Sequence, residues 1–203
     1  MMKFSTRQLV TIAVFGALWG VVEMSFGSVI KSLNIPFSGA VLSAIGLAVA
    51  LVGRAFVPKK GSTLFIGVIA MLLKLFSLGG VIIGPMVGIF SEALVAEIVL
   101  SLMGKPRRAS FLLAGALGVA WTLLQPFVTG PLLFGRTLFV VWLDLLDTGT
   151  RFLGLEANAA FVIVVVLLAI YLGIGCVVGW LSWNLARQLK TRMGKNQFEA
   201  FES

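Results

Sequence analysis

Apolar runs too long for the core of a soluble domain alternate along this chain with short polar or basic breaks. The pattern predicts six membrane-spanning helices, near residues 8–30, 36–57, 62–78, 81–103, 109–128 and 157–186. The third run is short. The stretch "SLGGVIIGP" that follows it predicts a tight, glycine-rich hairpin into the fourth. The first run looks superficially like a signal peptide, but it contains Glu23 and lacks a small-x-small cleavage site, so it is read as a span. The longest connection is 129–156. Within it Phe139, Trp142, Leu143 and Leu146 share one helical stripe, with Asp144 and Asp147 away from its centre. Such a segment either anchors in the membrane interface or closes over a cavity. Pro126 and Pro131 bracket the end of the fifth span and predict a break or kink there. The reading is an all-α membrane protein: one six-helix bundle over 1–186, then a basic-to-polar tail over 187–203.

Composition sharpens this picture. Hydrophobic residues make up 59% of the chain and charged residues 12%, against about a quarter charged in soluble domains, so the solvent is a bilayer. The net charge of +8 raises the question of nucleic acid, and its distribution answers it. Lys3 and Arg7, Arg54 with Lys59 and Lys60, Lys105 with Arg107 and Arg108, and Arg187, Lys190, Arg192 and Lys195 all fall at alternate ends of the spans. Outside the spans, the opposite side holds only Lys31, Arg136 and Arg151. That asymmetry marks a cytoplasmic face in a multi-pass protein of the cell membrane, with both termini inside and no nucleic-acid partner.

Histidine is absent and Cys176 is the single cysteine. Intrachain disulfides, sulfur–imidazole metal sites and histidine-dependent catalysis are thereby set aside. No nucleophile–base set can be assembled, and "GKNQFEA" at residue 194 is no phosphate-binding loop. An enzyme is the weakest reading; no cofactor and no metal are expected. Cys176, beside Gly173 and Gly175, reads as a small packing residue.

The candidate chemistry lies in the few ionisable residues within the oil. A charge at mid-bilayer costs roughly 2.5–3.5 kcal/mol on insertion scales, so each needs a partner, water or a function. Lys74 lies near the outer end of the third run, where it either snorkels to headgroups or contacts a ligand in an outward cavity. Glu23 shares a narrow arc with Gly16, Gly20 and Gly27, a face that a ligand or another helix can approach closely. Its alternatives are ligand contact and an internal pair with a lysine. Glu92 lies about 16 Å down a helix starting at residue 81, too deep to snorkel, with Gly88 stacked above it. Glu97 is about 140° further around, so the two glutamates form no catalytic pair; Glu97 reads as a packing or partner contact. Trp121 and Gln125, four residues apart in the fifth span, supply an aromatic wall and an amide to the same pocket, and Trp19 is either a second wall or an interface anchor. Glu23, Lys74, Glu92, Trp19, Trp121 and Gln125 are therefore the candidate substrate-binding set.

The first span also carries Ala13 and Ala17 at small-xxx-small spacing, a face on which helices approach closely in lipid. With six spans, this AxxxA and "GPMVGIFSEALVAEIV", the chain resembles the substrate-binding S component of an energy-coupling factor (ECF) transporter. The branch linked to thiamine and its hydroxymethylpyrimidine precursor is the most similar. The resemblance implies a small high-affinity binding protein that captures a vitamin or precursor outside. It then topples to deliver it, together with a transmembrane T component and two ATPase subunits. By the same resemblance Ala13 and Ala17 form the coupling face toward the T component, and an outward pocket near Glu23, Lys74, Glu92, Trp121 and Gln125 takes the solute. The short first outer loop departs from the family pattern and leaves 129–156 as the cover; the missing histidines argue against the nickel and cobalt branch. An autonomous ion-coupled carrier or channel and a membrane assembly subunit stand as the alternatives.

Overall fold

The computed structural model describes residues 4–32, 37–77 and 83–194. Its regular structure there is entirely helical: α1 (Thr6–Ser32), α2 (Ser38–Phe56), α3 (Ser62–Leu73), α4 (Ile83–Met103), α5 (Arg108–Phe134), α6 (Leu138–Leu153) and α7 (Ala160–Met193). One 3₁₀ turn, Lys74–Phe76, prolongs α3, and another, Ala157–Ala159, leads into α7. Most of the hairpin expected around "SLGGVIIGP" lies outside the described residues, as does the end of the tail.

Five helices are long and apolar enough to cross a membrane: α1, α2, α4, α5 and α7. The third expected span is a shorter apolar helix, Ser62–Phe76. At 1.5 Å per residue, with a tighter final turn, it reaches only about 22–24 Å against a hydrocarbon core of about 30 Å. Its last turn, from Lys74, is already 3₁₀.

Local chemistry sets several helix ends. At the start of α1, Ser5 N–H donates to Gln8 Oε1 (3.0 Å) and Gln8 N–H to Ser5 Oγ (3.4 Å), a reciprocal capping box. The Arg107 N–H opening α5 donates to Ser110 Oγ at 2.8 Å. Helix α6 starts on Thr137, whose hydroxyl accepts from Val140 N–H, and stops at Gly154, whose φ of 65° only glycine adopts cheaply. Helix α5 continues through both prolines to Phe134, where the sequence predicted an end near 128. Thr129 Oγ1 donates to Gln125 O at 3.1 Å in the same stretch, adding a donor between two residues that have none. Helix α7 likewise runs past residue 186 into the expected tail.

Packing is densest where glycines let backbones meet. A Cβ on Gly175 would lie 2.3 Å from Gly115 O, and one on Gly179 2.2 Å from Phe111 O, so α5 and α7 cross in backbone contact. Gly173 has open space around it and Cys176 is exposed, so the packing role falls to Gly175 and not to the cysteine. Gly16 and Gly20 meet Ile69 and Leu73, seating α1 against α3. Helix α2 is central, and its buried residues join Trp19, Ile66, Ala93, Ala96 and Phe111 in the main core. A smaller cluster docks α6 on α7, with Gly149 against Ile163. Its buried residues are Val141, Leu146 and Gly149; of the expected stripe, Leu146 is buried, Trp142 half-buried, and Phe139 and Leu143 are exposed.

Candidate functional site

Two groups of buried charge occupy opposite ends of this bundle. The first joins α2, α3 and α4. Arg54, at the end of α2, sets Nη1 3.2 Å from Glu97 Oε1 and 3.1 Å from Ser62 Oγ, and also donates to Lys59 O. Glu97 in turn accepts from Gly61 N–H (2.7 Å), Thr63 N–H (3.0 Å) and the Ser101 hydroxyl. The reason lies in the sequence of α3, which begins after Gly61 and so has no side chain to cap its free N–H groups. A carboxylate from the neighbouring helix takes that place and meets the positive end of the α3 dipole. Glu97 therefore has a partner within its own chain, one that hydropathy does not reveal.

The second group lines a cavity of about 280 Å³. Its wall draws on the C-terminal half of α1 (Glu23, Gly27), the start of α2 (Gly39, Leu42, Ser43), Lys74, the first half of α4 (Gly84, Pro85, Gly88, Ile89, Glu92) and α5 (Thr122, Gln125). Of the six residues singled out from sequence, four meet here: Glu23, Lys74, Glu92 and Gln125.

Their internal bonds differ in kind. Lys74 Nζ donates to Glu23 O at 2.7 Å and sits 3.6 Å from Glu23 Oε2. The ammonium is tucked against Gly27, where a Cβ would lie 2.9 Å from Nζ. Lys74 is 7% exposed, so it is folded inward and does not snorkel. Of the alternatives for Glu23, the internal lysine pair is present. Gln125 donates Nε2–H to Gly84 O at 3.2 Å, and reaches it because Gly88 has no side chain in the way.

Glu92 is unlike these. It is 6% exposed and its Oε2 has no hydrogen-bond partner. Ser43, 2% exposed, likewise has an unpartnered Oγ. Two groups act on the Glu92 carboxyl: the Ser43 hydroxyl, which faces it, and the Glu23 carboxylate, a like charge. Buried polar atoms left open are costly, and native proteins keep few of them.

Neither tryptophan forms the wall. Trp19 is fully buried, its indole lodged against Gly46 and near Gly67, in the core one turn below Glu23. Trp121 donates Nε1–H to Ser91 Oγ at 2.7 Å, on the flank of α4 away from the cavity. Ser43, Leu42, Ile89 and Thr122 are wall residues that the sequence did not announce; the one available signal was a lone hydroxyl, Ser43, early in an apolar helix. Helix α6 contributes no side chain to the wall. Ala13 is exposed and Ala17 half-buried on α1, bordering the glycine face that packs on α3.

Comparison with protein-family models, with curated proteins and with solved structures finds no match to this chain. Function is therefore argued from the cavity itself. Among the described residues no group of three or more Asp, Glu or Cys is placed to hold a metal ion. The chemistry on offer is non-covalent: a carboxylate oxygen, a hydroxyl, an amide and a neutralised ion pair in apolar walls.

Proposed function

We propose that this protein is the substrate-binding membrane subunit of an ECF-type ABC importer. It captures a vitamin or vitamin precursor from outside and delivers it with a T component and two ATPase subunits. In this reading the basic end faces the cytoplasm, both termini lie there, and the cavity is reached from the outer face. The observation that carries it is the cavity, walled by four helices and the Lys74 turn, with an unpartnered Glu92 oxygen inside. A packed core and the Arg54–Glu97 network fill the other half of the bundle, which favours capture over conduction. Arg54, Glu97, Lys74 and Glu23 find partners within the chain, which weighs against an assembly subunit that needs them for neighbouring helices. The exposed Ala13 and half-buried Ala17 leave a small-residue face for the T component.

The test uses the purified full chain. Native mass spectrometry against a panel of vitamins and precursors should find a retained solute, and uptake into liposomes should need the T component, the ATPases and ATP. Ala13→Trp and Ala17→Trp should weaken association with that module and leave solute binding intact. Uptake by the chain alone, driven by an ion gradient, would replace this reading with an autonomous carrier.

A further inference from the structure

Resting on the capture reading above, we propose that the cavity selects a small organic monocation with N–H donors, which binds Glu92 and Ser43, and that Lys74 takes no part in recognising it. The argument is one of charge and of unfilled valence. Among the described side chains, the wall carries two carboxylates and one ammonium. The ammonium is already spent: it holds the backbone oxygen and the carboxylate of Glu23. An anionic ligand would have to draw Lys74 from that pair, breaking its hydrogen bond to Glu23 O and its contact with the Glu23 carboxylate. It would also sit against the open oxygen of Glu92, a like-charge contact in a low-dielectric site. A monocation needs none of this. With the three groups ionised the wall is one negative charge in excess, and a single positive charge balances it.

The open valences point the same way. When ionised, Glu92 accepts only, and Ser43 Oγ can accept as well as donate, so both are met by a ligand that brings N–H groups. Gln125 spends Nε2 on Gly84 O, and its Oε1 offers a further acceptor. Such a ligand forms charge-assisted bonds, the stronger kind. Size and wall chemistry narrow the class. About 280 Å³ lies at the small end of ligand pockets, about 300–1,000 Å³. The tryptophans are turned elsewhere, so selection rests on hydrogen bonds and charge and not on an aromatic cage.

Three isosteric probes that differ in charge test this: benzamidinium, benzamide and benzoate. Each is titrated into the full chain in detergent, with binding read by ligand-observed NMR and by thermal shift. Benzamidinium should bind at least about tenfold tighter than benzamide, the scale of one charge-assisted hydrogen bond, and benzoate should bind weakest. Glu92→Gln keeps the shape and removes the charge, and should bring the first two within about threefold of each other. If that variant does not fold, the wild-type order of the three probes still decides. Benzoate binding tightest, or benzamide matching benzamidinium in the wild type, overturns the monocation class. If none of the three binds, the vitamin panel decides. A cationic adduct lost in Glu92→Gln supports the proposal, and an anionic or neutral adduct overturns it while the capture reading stands. No adduct and no probe binding to folded protein would overturn both.

Discussion

Two glutamates on one helix, five residues apart, have opposite circumstances, and this contrast is the main physical fact at the scale of single residues. Glu97 meets a guanidinium, two backbone N–H groups and a hydroxyl; Glu92 leaves a buried oxygen without a partner. Removing one member of a buried ion pair typically costs about 3–5 kcal/mol, because the other charge stays buried and uncompensated. Glu97→Ala should therefore lower the thermal midpoint of the detergent-solubilised protein sharply, and Glu97→Gln less, since the amide oxygen still caps α3. Glu92→Gln in the absence of ligand should leave the midpoint unchanged or raise it. Equal losses at both positions would mean that Glu92 is a structural residue, and the cavity argument would lose its centre. The sequence made the cavity carboxylates legible because an ionisable side chain in oil has to turn toward something polar. It left the Arg54–Glu97 pair hidden, since the partners are 43 residues apart and hydropathy does not say which helices are neighbours. Adjacency on a helix misled in one respect. Residues four apart differ by about 40° in direction, and Trp19 used that offset to fill the notch at Gly46 and Gly67.

At the scale of elements, the packing of α5 on α7 depends on glycines whose importance cannot be read from composition. Glycine is frequent in this chain, and only the crossing distinguishes Gly175 and Gly179 from Gly173. A side chain at either of the first two would drive into the backbone of α5, while Gly173 faces open space. Overpacking usually costs about 1–3 kcal/mol, and more where the obstacle is main chain that has nowhere to move. Gly179→Leu should thus destabilise the bundle or prevent its folding, whereas Gly173→Leu should be tolerated; monodispersity on size-exclusion chromatography and the thermal midpoint read both. Similar effects from the two substitutions would remove the close crossing. The long apolar helices were legible as elements because they need only length and hydropathy. The end of α3 and the buried side of α6 were not. The first depends on a 3₁₀ turn at Lys74, and the second on Gly149 seating against Ile163, which rotates the stripe to Val141 and Leu146.

For the whole molecule, the charges are divided between two ends. At one end Lys60, Lys105, Arg107, Arg108, Arg187 and Arg192 are exposed or partly exposed, and Glu97 there is buried against Arg54. At the other, Arg136 and Arg151 each pair with an aspartate of α6, and Glu156 adds negative charge. Unpaired basic residues next to membrane spans are retained in the cytoplasm, so the first end should be inside and the cavity should open outside. The proposal can be checked with single cysteines at Lys60 and Glu156, both exposed, in a Cys176→Ser background. A membrane-impermeant maleimide should label Glu156→Cys in intact cells and Lys60→Cys only after permeabilisation. The same pair of sites reports whether α3 crosses the membrane. Helices α3 to α6 lie between them; α6 is not among the helices long and apolar enough to cross, so crossings by α3, α4 and α5 make an odd number and place the two sites on opposite faces. If both cysteines label from the same face, α3 does not cross, and Lys74 is carried into the cavity by a helix that enters and leaves on one side. If the two labels are reversed, the cavity opens toward the cytoplasm, and capture of a solute from outside is no longer tenable.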